Sequence, residues 1–269
     1  MSDQVYYHRV SDSPDLTLSE GSFSNFRFEP HYHIDFHVGL VIQGVQEQKV
    51  AGEKVLLGPG RVVVMPPGEV HDGITYQGSD YKLNTFRITP EMLDQSYQDI
   101  FDSNKQALFS AAMLEDNLLS AQLSALFFAL KQGGSLSSLP VEEEWLKVMN
   151  PILGRLSKTR EQDIKGGLSQ RHWSWVQEFC RENMSEKMTL AQLADITGLS
   201  RYQLLRRFEK NVGLTPHNWL TQLRLEYACR RMRCSDDNIA SIASEVGFYD
   251  QSHFNRAFKN AYGVAPSRY

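Results

Sequence analysis

The chain has 269 residues, a formal net charge of −4 and a hydrophobic fraction of 41%, which is typical of a globular protein long enough for two separate cores. No apolar run approaches the roughly eighteen residues that cross a bilayer, and the N-terminal stretch lacks an apolar signal segment, so we expect a cytoplasmic protein. Cys180, Cys229 and Cys234 are scattered and lack C-x-x-C spacing, which argues against a disulfide framework and a zinc knuckle.

The first hundred residues have the pattern of strands separated by Gly and Pro. In one segment every second residue is apolar, which predicts a half-buried strand: Tyr32, Ile34, Phe36, Val38, Leu40 and Ile42. The opposite face of that strand carries His31, His33, Asp35 and His37. A second predicted strand, 61–65, runs into the turn Pro66-Pro67-Gly68-Glu69 and then reaches His71.

The motifs His31-x-His33-x-x-x-His37 and Pro66-x-Gly68-x-x-His71 resemble the two sequence boxes of the cupin barrel, over about residues 26–72. In metal-dependent cupins the first box supplies two histidines and a glutamate, and the second box supplies one histidine. Here His37 stands in the place of the glutamate. The resemblance implies a barrel whose interior can hold a small molecule.

We predict that His31, His33, His37 and His71 bind an effector, and we predict no catalytic residue, no metal and no other cofactor. Imidazoles favour an anionic or polar ligand, and Arg27, Arg61 and Arg87 are candidates for added positive charge. The alternative is that the four imidazoles hold a divalent metal ion, since neutral His is a common metal ligand. In that case the protein would be a metal-dependent cupin enzyme with an accessory helical targeting domain.

Beyond Thr89 the apolar period becomes helical. A helix is predicted within 104–131, with Leu119, Leu123, Leu126 and Leu130 on one side, and another over 141–158, which Pro151 should kink or restart. The second helix carries a similar stripe: Leu146, Met149, Leu153 and Leu156. Either stripe can pack in the core or form an interhelical seam. Residues 159–170 are polar and contain glycine, which predicts an interdomain linker.

One helix-turn-helix pattern occurs twice in the last hundred residues. The first copy runs through Ala191, Ala194, Gly198, Leu204, Phe208, Gly213 and Pro216, and the second through Ala240, Ala243, Gly247, Phe254, Phe258, Gly263 and Pro266. Corresponding residues lie 49 apart up to the turn glycines and 50 apart after them, so the second turn is one residue longer. A helix-turn-helix places its second helix in the major groove of DNA; the alternative is an ordinary helical bundle.

This segment resembles the DNA-binding domain of the AraC/XylS family of transcription regulators, over about residues 169–269. The most specific stretch is in the second copy, from Ile239-Ala240 through Gly247-Phe248, 250–259 and 263–267. The resemblance implies a seven-helix module whose two helix-turn-helix units are joined by a long helix, here 216–233. It also implies that helices following the barrel form a homodimer.

Residues outside the buried stripes of the two reading helices must face outward. These are Arg201, Tyr202, Leu205, Arg206 and Lys210 in the first helix and Gln251, Ser252, Asn255, Arg256 and Lys259 in the second. Arg pairs with guanine, and Gln and Asn pair with adenine. The family resemblance places seven of them at base edges: Tyr202, Leu205, Arg206, Gln251, Ser252, Asn255 and Arg256. Lys210, Lys259 and the helix N-termini near Thr189 and Asn238 are expected at phosphates.

The charge distribution agrees with a DNA-binding C-terminal half. From Ser169 onward there are 14 Lys and Arg against 10 Asp and Glu, whereas the first 168 residues hold 14 against 22. A basic module attached to an acidic one is expected when only the first meets phosphates.

The sequence thus predicts an α+β protein: a cupin-like β-barrel with trailing helices over 1–165 for sensing and dimerisation, and an all-α domain with two helix-turn-helix units over 166–269. The predicted partners are double-stranded DNA, a small polar effector, RNA polymerase and a second copy of the chain, without a membrane. A third hypothesis makes the N-terminal domain only a dimeriser.

Overall fold

The computed structural model describes residues 3–50, 52–101, 109–156, 167–235 and 237–269. The chain divides into two compact units, Met1–Arg160 and Glu161–Ser267. The domain boundary predicted at residue 165 and most of the predicted linker lie within 157–166, outside the described residues, so both stay predictions. The α+β class is confirmed, since the first unit contains the strands with three helices and the second unit is helical.

The strands of the first unit form two antiparallel sheets. The larger sheet has the order β1 (Gln4–Val10), β2 (Ser13–Phe23), β9 (Tyr81–Ile88), β4 (Phe36–Gln43), β7 (Arg61–Met65) and β10 (Ala112–Glu115). The smaller sheet has the order β3 (Phe28–His31), β8 (His71–Thr75), β5 (Gln46–Val50) and β6 (Glu53–Leu57). The described strands therefore make two sheets in a cupin-like arrangement and not one closed barrel.

The single strand predicted across 31–42 is wrong. The chain leaves the smaller sheet after His31 and enters the larger sheet at Phe36. The apolar alternation continues across this break because Tyr32 and Phe36 are both buried on either side of it. An alternating pattern therefore does not distinguish one long strand from two strands joined by a short buried crossing. The predicted strand 61–65 is confirmed as β7.

The larger sheet is covered on both faces. One face packs on the helices α1 (Pro90–Phe101), α2 (Asn117–Lys131) and α3 (Leu139–Leu156). Phe36, Val38 and Leu40 of β4 belong to that helix-facing core, and Val41 belongs to a second cluster shared with the smaller sheet. The interval between the two sheets is called the sensor interior here. It is lined by those side chains of the larger sheet that point away from the helices.

Two helix predictions in this unit need correction. The helix expected within 104–131 begins only at Asn117, where the Asp116 side chain accepts a hydrogen bond from the Leu119 amide at 3.0 Å, and β10 precedes it; 102–108 lie outside the described residues. The leucines of the predicted stripe are all buried in the intramolecular core: Leu119, Leu123, Leu126 and Leu130. The second helix runs from Leu139 to Leu156 and continues through Pro151.

The second unit is helical. Its helices are α4 (Gln170–Glu182), α5 (Leu190–Thr197), α6 (Arg201–Val212), α7 (Pro216–Cys234), α8 (Ile239–Glu245) and α9 (Gln251–Tyr262), followed by a 3-10 turn at Pro266–Arg268. The resemblance implied seven helices, and within 167–269, apart from 236, there are six α-helices and this short turn. The long connecting helix predicted at 216–233 is confirmed as α7.

In both helix-turn-helix units the turn glycine lies where the sequence predicts it. Gly198 ends α5 with a φ of 65°, and the N-cap of α6 is Ser200. Gly247 follows α8 with a φ of 85°, and the N-cap of α9 is Asp250. The second turn is one residue longer, as the 49-to-50 change in spacing predicts.

Helix α7 connects the two helix-turn-helix units through contacts on several sides. Near its start, Trp219 packs edge-to-face on Phe208 of α6, with ring centroids 5.7 Å apart, and on Trp173 of α4. In its middle, the buried Glu226 carboxylate accepts a hydrogen bond of 2.5 Å from the Tyr262 hydroxyl of α9. The Arg224 guanidinium donates to the backbone carbonyls of Met184 and Glu186 at 3.1 and 2.7 Å.

The two turn glycines provide a matched pair for a stability test. At both positions the backbone is left-handed, so a residue with a Cβ atom is destabilised there by about 1–2 kcal/mol. At Gly198 a Cβ meets nothing within 4 Å, whereas at Gly247 it lies 2.3 Å from the Met184 carbonyl oxygen, which the Arg224 hydrogen bond holds in place. We expect Gly247→Ala to lower the unfolding free energy of the second unit by about 1–3 kcal/mol more than Gly198→Ala, measured by urea denaturation. Equal losses would contradict this packing of the second turn.

Candidate DNA-reading helices and sensor interior

The two reading helices, α6 and α9, bury equivalent residues. Leu204 and Phe208 of α6, and Phe254 and Phe258 of α9, are all fully buried. Each helix shows the same order of exposed, half-buried and buried positions over its first ten residues. The sequence repeat is therefore matched by two helices that present equivalent faces to solvent.

The predicted DNA-contacting residues fall on those faces. The exposed ones are Arg201, Tyr202, Arg206 and Lys210 in α6 and Gln251, Ser252, Arg256 and Lys259 in α9. Leu205 and Asn255 occupy the equivalent half-buried position of each helix. The Oδ1 atom of Asn255 is buried and has no hydrogen-bond partner among the described residues, so Asn255 is less accessible than the rest of the set.

Sequence reasoning missed Tyr249, which is 95% exposed in the second turn. It directly precedes the N-cap Asp250, so its ring stands next to the exposed start of α9. The signal in the sequence was an aromatic residue in the one-residue insertion of the second turn. Gln203, by contrast, is exposed but its side chain accepts a hydrogen bond from the Ser200 amide in a capping box, so it is used by the helix itself.

In the first unit, the structure brings the four predicted histidines together in the sensor interior. The rings of His31 and His71 have centroids 4.4 Å apart, and those of His31 and His33 are 4.9 Å apart. His37 stacks on His33 at 3.9 Å. All four side chains are buried.

Backbone pairing explains why distant residues of the sequence meet here. His31 of β3 is paired with His71 of β8 in the smaller sheet. The Gly68 amide, in the turn before β8, donates a hydrogen bond of 2.8 Å to the His33 carbonyl. The two cupin-like boxes are therefore joined by backbone hydrogen bonds at the histidine cluster.

Of the three arginines considered, only Arg87 lies in the interior. Its guanidinium is 2% exposed and lies 3.4 Å from the fully buried Asp35 carboxylate. Arg27 pairs with Glu29 and Arg61 with Glu115, all of them outside the buried core. Because Asp35 offsets the charge of Arg87, the interior is polar and does not carry an isolated positive charge.

Several polar atoms of the sensor interior have no protein partner within the described part of the chain. They are the Nε2 atom of His37 and the Oε1 atoms of Gln46 and Gln48, all buried. The amide nitrogen of Gln46 donates to the Tyr81 hydroxyl at 3.1 Å. Burial, with the nearby His33 and Arg87, lowers the pKa of His37 well below its usual value, so this ring is neutral. Buried polar atoms without partners are uncommon and mark a site for a water, an ion or a ligand.

Two outward-facing reading helices in one unit and a polar interior in the other define a regulator that binds DNA and senses a ligand. A family model described as an AraC-like ligand binding domain matches residues 13–149, and one described as a helix-turn-helix domain matches residues 193–269. The chain belongs to the AraC/XylS family of transcription regulators.

Individual relatives agree with that assignment. The HTH-type transcriptional regulator YbfI of Bacillus subtilis is 25% identical over 84% of this chain and 81% of YbfI. The XylDLEGF operon transcriptional activator 1 of Pseudomonas putida is 24% identical over 97% of this chain and 80% of the activator. Both relatives are described as transcriptional regulators, so the comparisons do not support the cupin-enzyme alternative.

Solved structures show the same fold. ToxT from Vibrio cholerae superposes with a TM-score of 0.62 at 14% identity, covering 99% of this chain and 95% of ToxT. At that identity the likeness concerns the fold alone. No helix in the described residues is both long and apolar enough to cross a membrane.

The buried Asp35–Arg87 pair is open to a direct test. Removing one partner leaves an unpaired buried charge, so Asp35→Ala should lower the unfolding free energy of the first unit by about 3–5 kcal/mol. The double variant Asp35→Leu/Arg87→Met removes both charges and should recover most of that loss. Amide hydrogen exchange of β4 and β9 measures both. A double variant no more stable than Asp35→Ala would contradict this account, because removing the Arg87 charge would then recover none of the loss.

Proposed function

We propose that the chain is a cytoplasmic, homodimeric transcription activator that reads DNA with α6 and α9 and responds to a small polar effector bound in the sensor interior. RNA polymerase is the proposed downstream partner, because the relatives named above include an operon activator. The observation that carries the DNA part is the equivalent exposure of two reading helices.

The side chains on these helices suit direct readout of bases. Arg206 and Arg256 occupy equivalent exposed positions, and an arginine can bind guanine with two hydrogen bonds. Tyr202, Leu205, Gln251, Ser252 and Asn255 are the other proposed base contacts. Lys210 and Lys259 lie in the last turns of their helices, where a contact to phosphate positions the protein without reading sequence.

The effector part rests on the unpartnered polar atoms of the sensor interior. A small molecule with donors and acceptors would satisfy His37, Gln46 and Gln48, which the fold otherwise leaves buried at a cost. His31, His33 and His71 complete the proposed site. Binding would favour one arrangement of the regulator over another, and DNA affinity would change by the difference in effector affinity between the two arrangements.

The dimer part rests on an exposed apolar stripe of α2 that the sequence analysis did not single out. Leu118 and Phe128 are 70% and 62% exposed, and Ala121 and Ala125 between them are exposed as well. The four residues are symmetric about position 123. Two antiparallel copies of α2 related by a two-fold axis would therefore place Leu118 opposite Phe128 and Ala121 opposite Ala125, so that large residues meet large ones and the small ones allow close approach.

Substitutions in α9 test the reading role. Arg256→Ala should cost about 1–3 kcal/mol of DNA-binding free energy and relax the sequence preference at one base pair. Lys259→Ala should weaken binding to all sequences, and it should reduce the slope of the logarithm of the binding constant against the logarithm of salt concentration by about one. Quantitative binding to an operator and its single-base variants measures both. If Arg256→Ala weakens all sequences equally, Arg256 contacts phosphate and not a base.

A charge in the α2 stripe tests the dimer. Phe128→Glu should place two carboxylates in the proposed interface and yield a monomer, because removing an unpaired charge from water is costly. Ile42→Glu is the matched control, since Ile42 is an exposed apolar residue of β4. Analytical ultracentrifugation gives the mass of each. A Phe128→Glu protein that remains dimeric would exclude this surface, and a monomeric wild type would exclude the dimer.

A further inference from the structure

The inner face of the smaller sheet carries two glutamines whose side-chain carbonyl oxygens are buried. Gln46 and Gln48 occupy alternate positions of β5 and are 1% and 3% exposed. Neither Oε1 atom has a hydrogen-bond partner within the described part of the chain. We propose that the effector is an uncharged molecule that carries an aromatic ring and at least two hydrogen-bond donors for these oxygens. This inference rests on the proposed function and specifies the ligand of its sensor site.

Strand pairing shows that both glutamines face the larger sheet. Their partners across the β5–β6 ladder are Val55 and Leu57, which lie in or against the apolar cluster between the sheets. The Nε2 atom of Gln46 donates a hydrogen bond of 3.1 Å to the Tyr81 hydroxyl of β9. That bond uses the donor end of the amide and leaves its oxygen. A glutamine oxygen only accepts hydrogen bonds, so the ligand has to supply the donors.

The charges of the interior favour an uncharged ligand. The buried Arg87 guanidinium is already paired with the Asp35 carboxylate at 3.4 Å. His37 is neutral, because burial, with the nearby His33 and Arg87, lowers its pKa well below the usual value. A carboxylate that enters this interior loses its hydration at high cost, and it presents acceptors to glutamine oxygens that are acceptors themselves. The anionic effector that the imidazoles suggest in the sequence is therefore disfavoured.

Aromatic side chains line the interior next to the glutamines. The ring of Phe23 packs on the rings of Tyr81 and Phe28, with centroids 5.1 Å apart in both pairs. Phe26 packs edge-on against Phe28 at 4.8 Å, and Phe28 lies 5.8 Å from the His31 ring. Phe26 and Phe28 are only half-buried, so the aromatic cluster extends from the surface to the polar interior. A ligand ring gains offset or edge-on contacts with these side chains.

A substitution at Gln48 tests the unpaired acceptor without any ligand. Gln48→Met replaces the amide with an unbranched apolar group of similar length, so the ligand-free protein no longer buries an unpaired oxygen. We expect the urea midpoint for unfolding of the first unit to rise. Gln43→Met, at an exposed glutamine of β4, is the matched control and should leave the midpoint unchanged. A Gln48→Met midpoint that is unchanged or lower would overturn the proposal, because the oxygen would then have a partner in solution.

Two matched probes test the class of ligand. The compounds meta-hydroxybenzamide and meta-hydroxybenzoate share a ring and a hydroxyl, and they differ in carrying a donor amide or an anionic carboxylate. NMR titration of the purified full chain without DNA gives both dissociation constants. We expect the benzamide to bind about tenfold more tightly than the benzoate. Gln48→Met should weaken benzamide binding by about tenfold, and Gln43→Met should leave it unchanged.

The outcomes of the titration separate this proposal from the proposed function. Benzoate binding that is equal or tighter, or binding of neither probe, would overturn the uncharged aromatic class. So would benzamide binding that Gln48→Met does not weaken. Preference for the benzoate at the same residues would leave the effector site in place and overturn only its ligand class. Benzamide binding that leaves DNA affinity unchanged would overturn effector control and leave the ligand class in place.

Discussion

The geometry of the DNA-reading unit depends on α7, because one helix supplies the packing surface for both helix-turn-helix units. Its 19 residues span about 28 Å, and buried side chains occur along its whole length. Trp219 contacts Phe208 of the first helix-turn-helix, and Glu226 contacts Tyr262 of the second. Since α6 and α9 both pack on the same rigid element, their spacing is set by α7 and not by a loop. Two contacts in adjacent major grooves require a spacing close to one helical turn of DNA.

The two packing interfaces of the sensor unit differ in polarity. The larger sheet packs on its helices through an apolar core, whereas the interval between the sheets combines an apolar cluster with imidazoles, amides and the Asp35–Arg87 pair. Burying such groups is costly unless they are satisfied. An interior built only for stability would be apolar there, so the polar composition indicates ligand binding.

The sequence was most informative where local chemistry determines structure. The glycines Gly198 and Gly247 mark the turns, and the i, i+4 pairs identify the buried faces, so the reading helices were predicted closely. Long-range pairing was not predictable in the same way: the alternation across 31–42 concealed a change of sheet. The leucines of α2 were correctly seen as a stripe, but only the fold shows that they are core and that Leu118 and Phe128 are the exposed ones. The DNA and effector contacts of the named residues stay predictions.

The most direct test of two reading helices held on one helix is selection of bound sequences from a random DNA pool by the purified full-length protein, at near-physiological salt. A recovered motif with two conserved blocks about one helical turn apart is expected if α6 and α9 occupy successive major grooves. A single block, or two blocks at variable spacing, would contradict a separation fixed by α7. Repeating the selection with Arg206→Ala and Arg256→Ala should relax one block each and thereby assign each block to its helix.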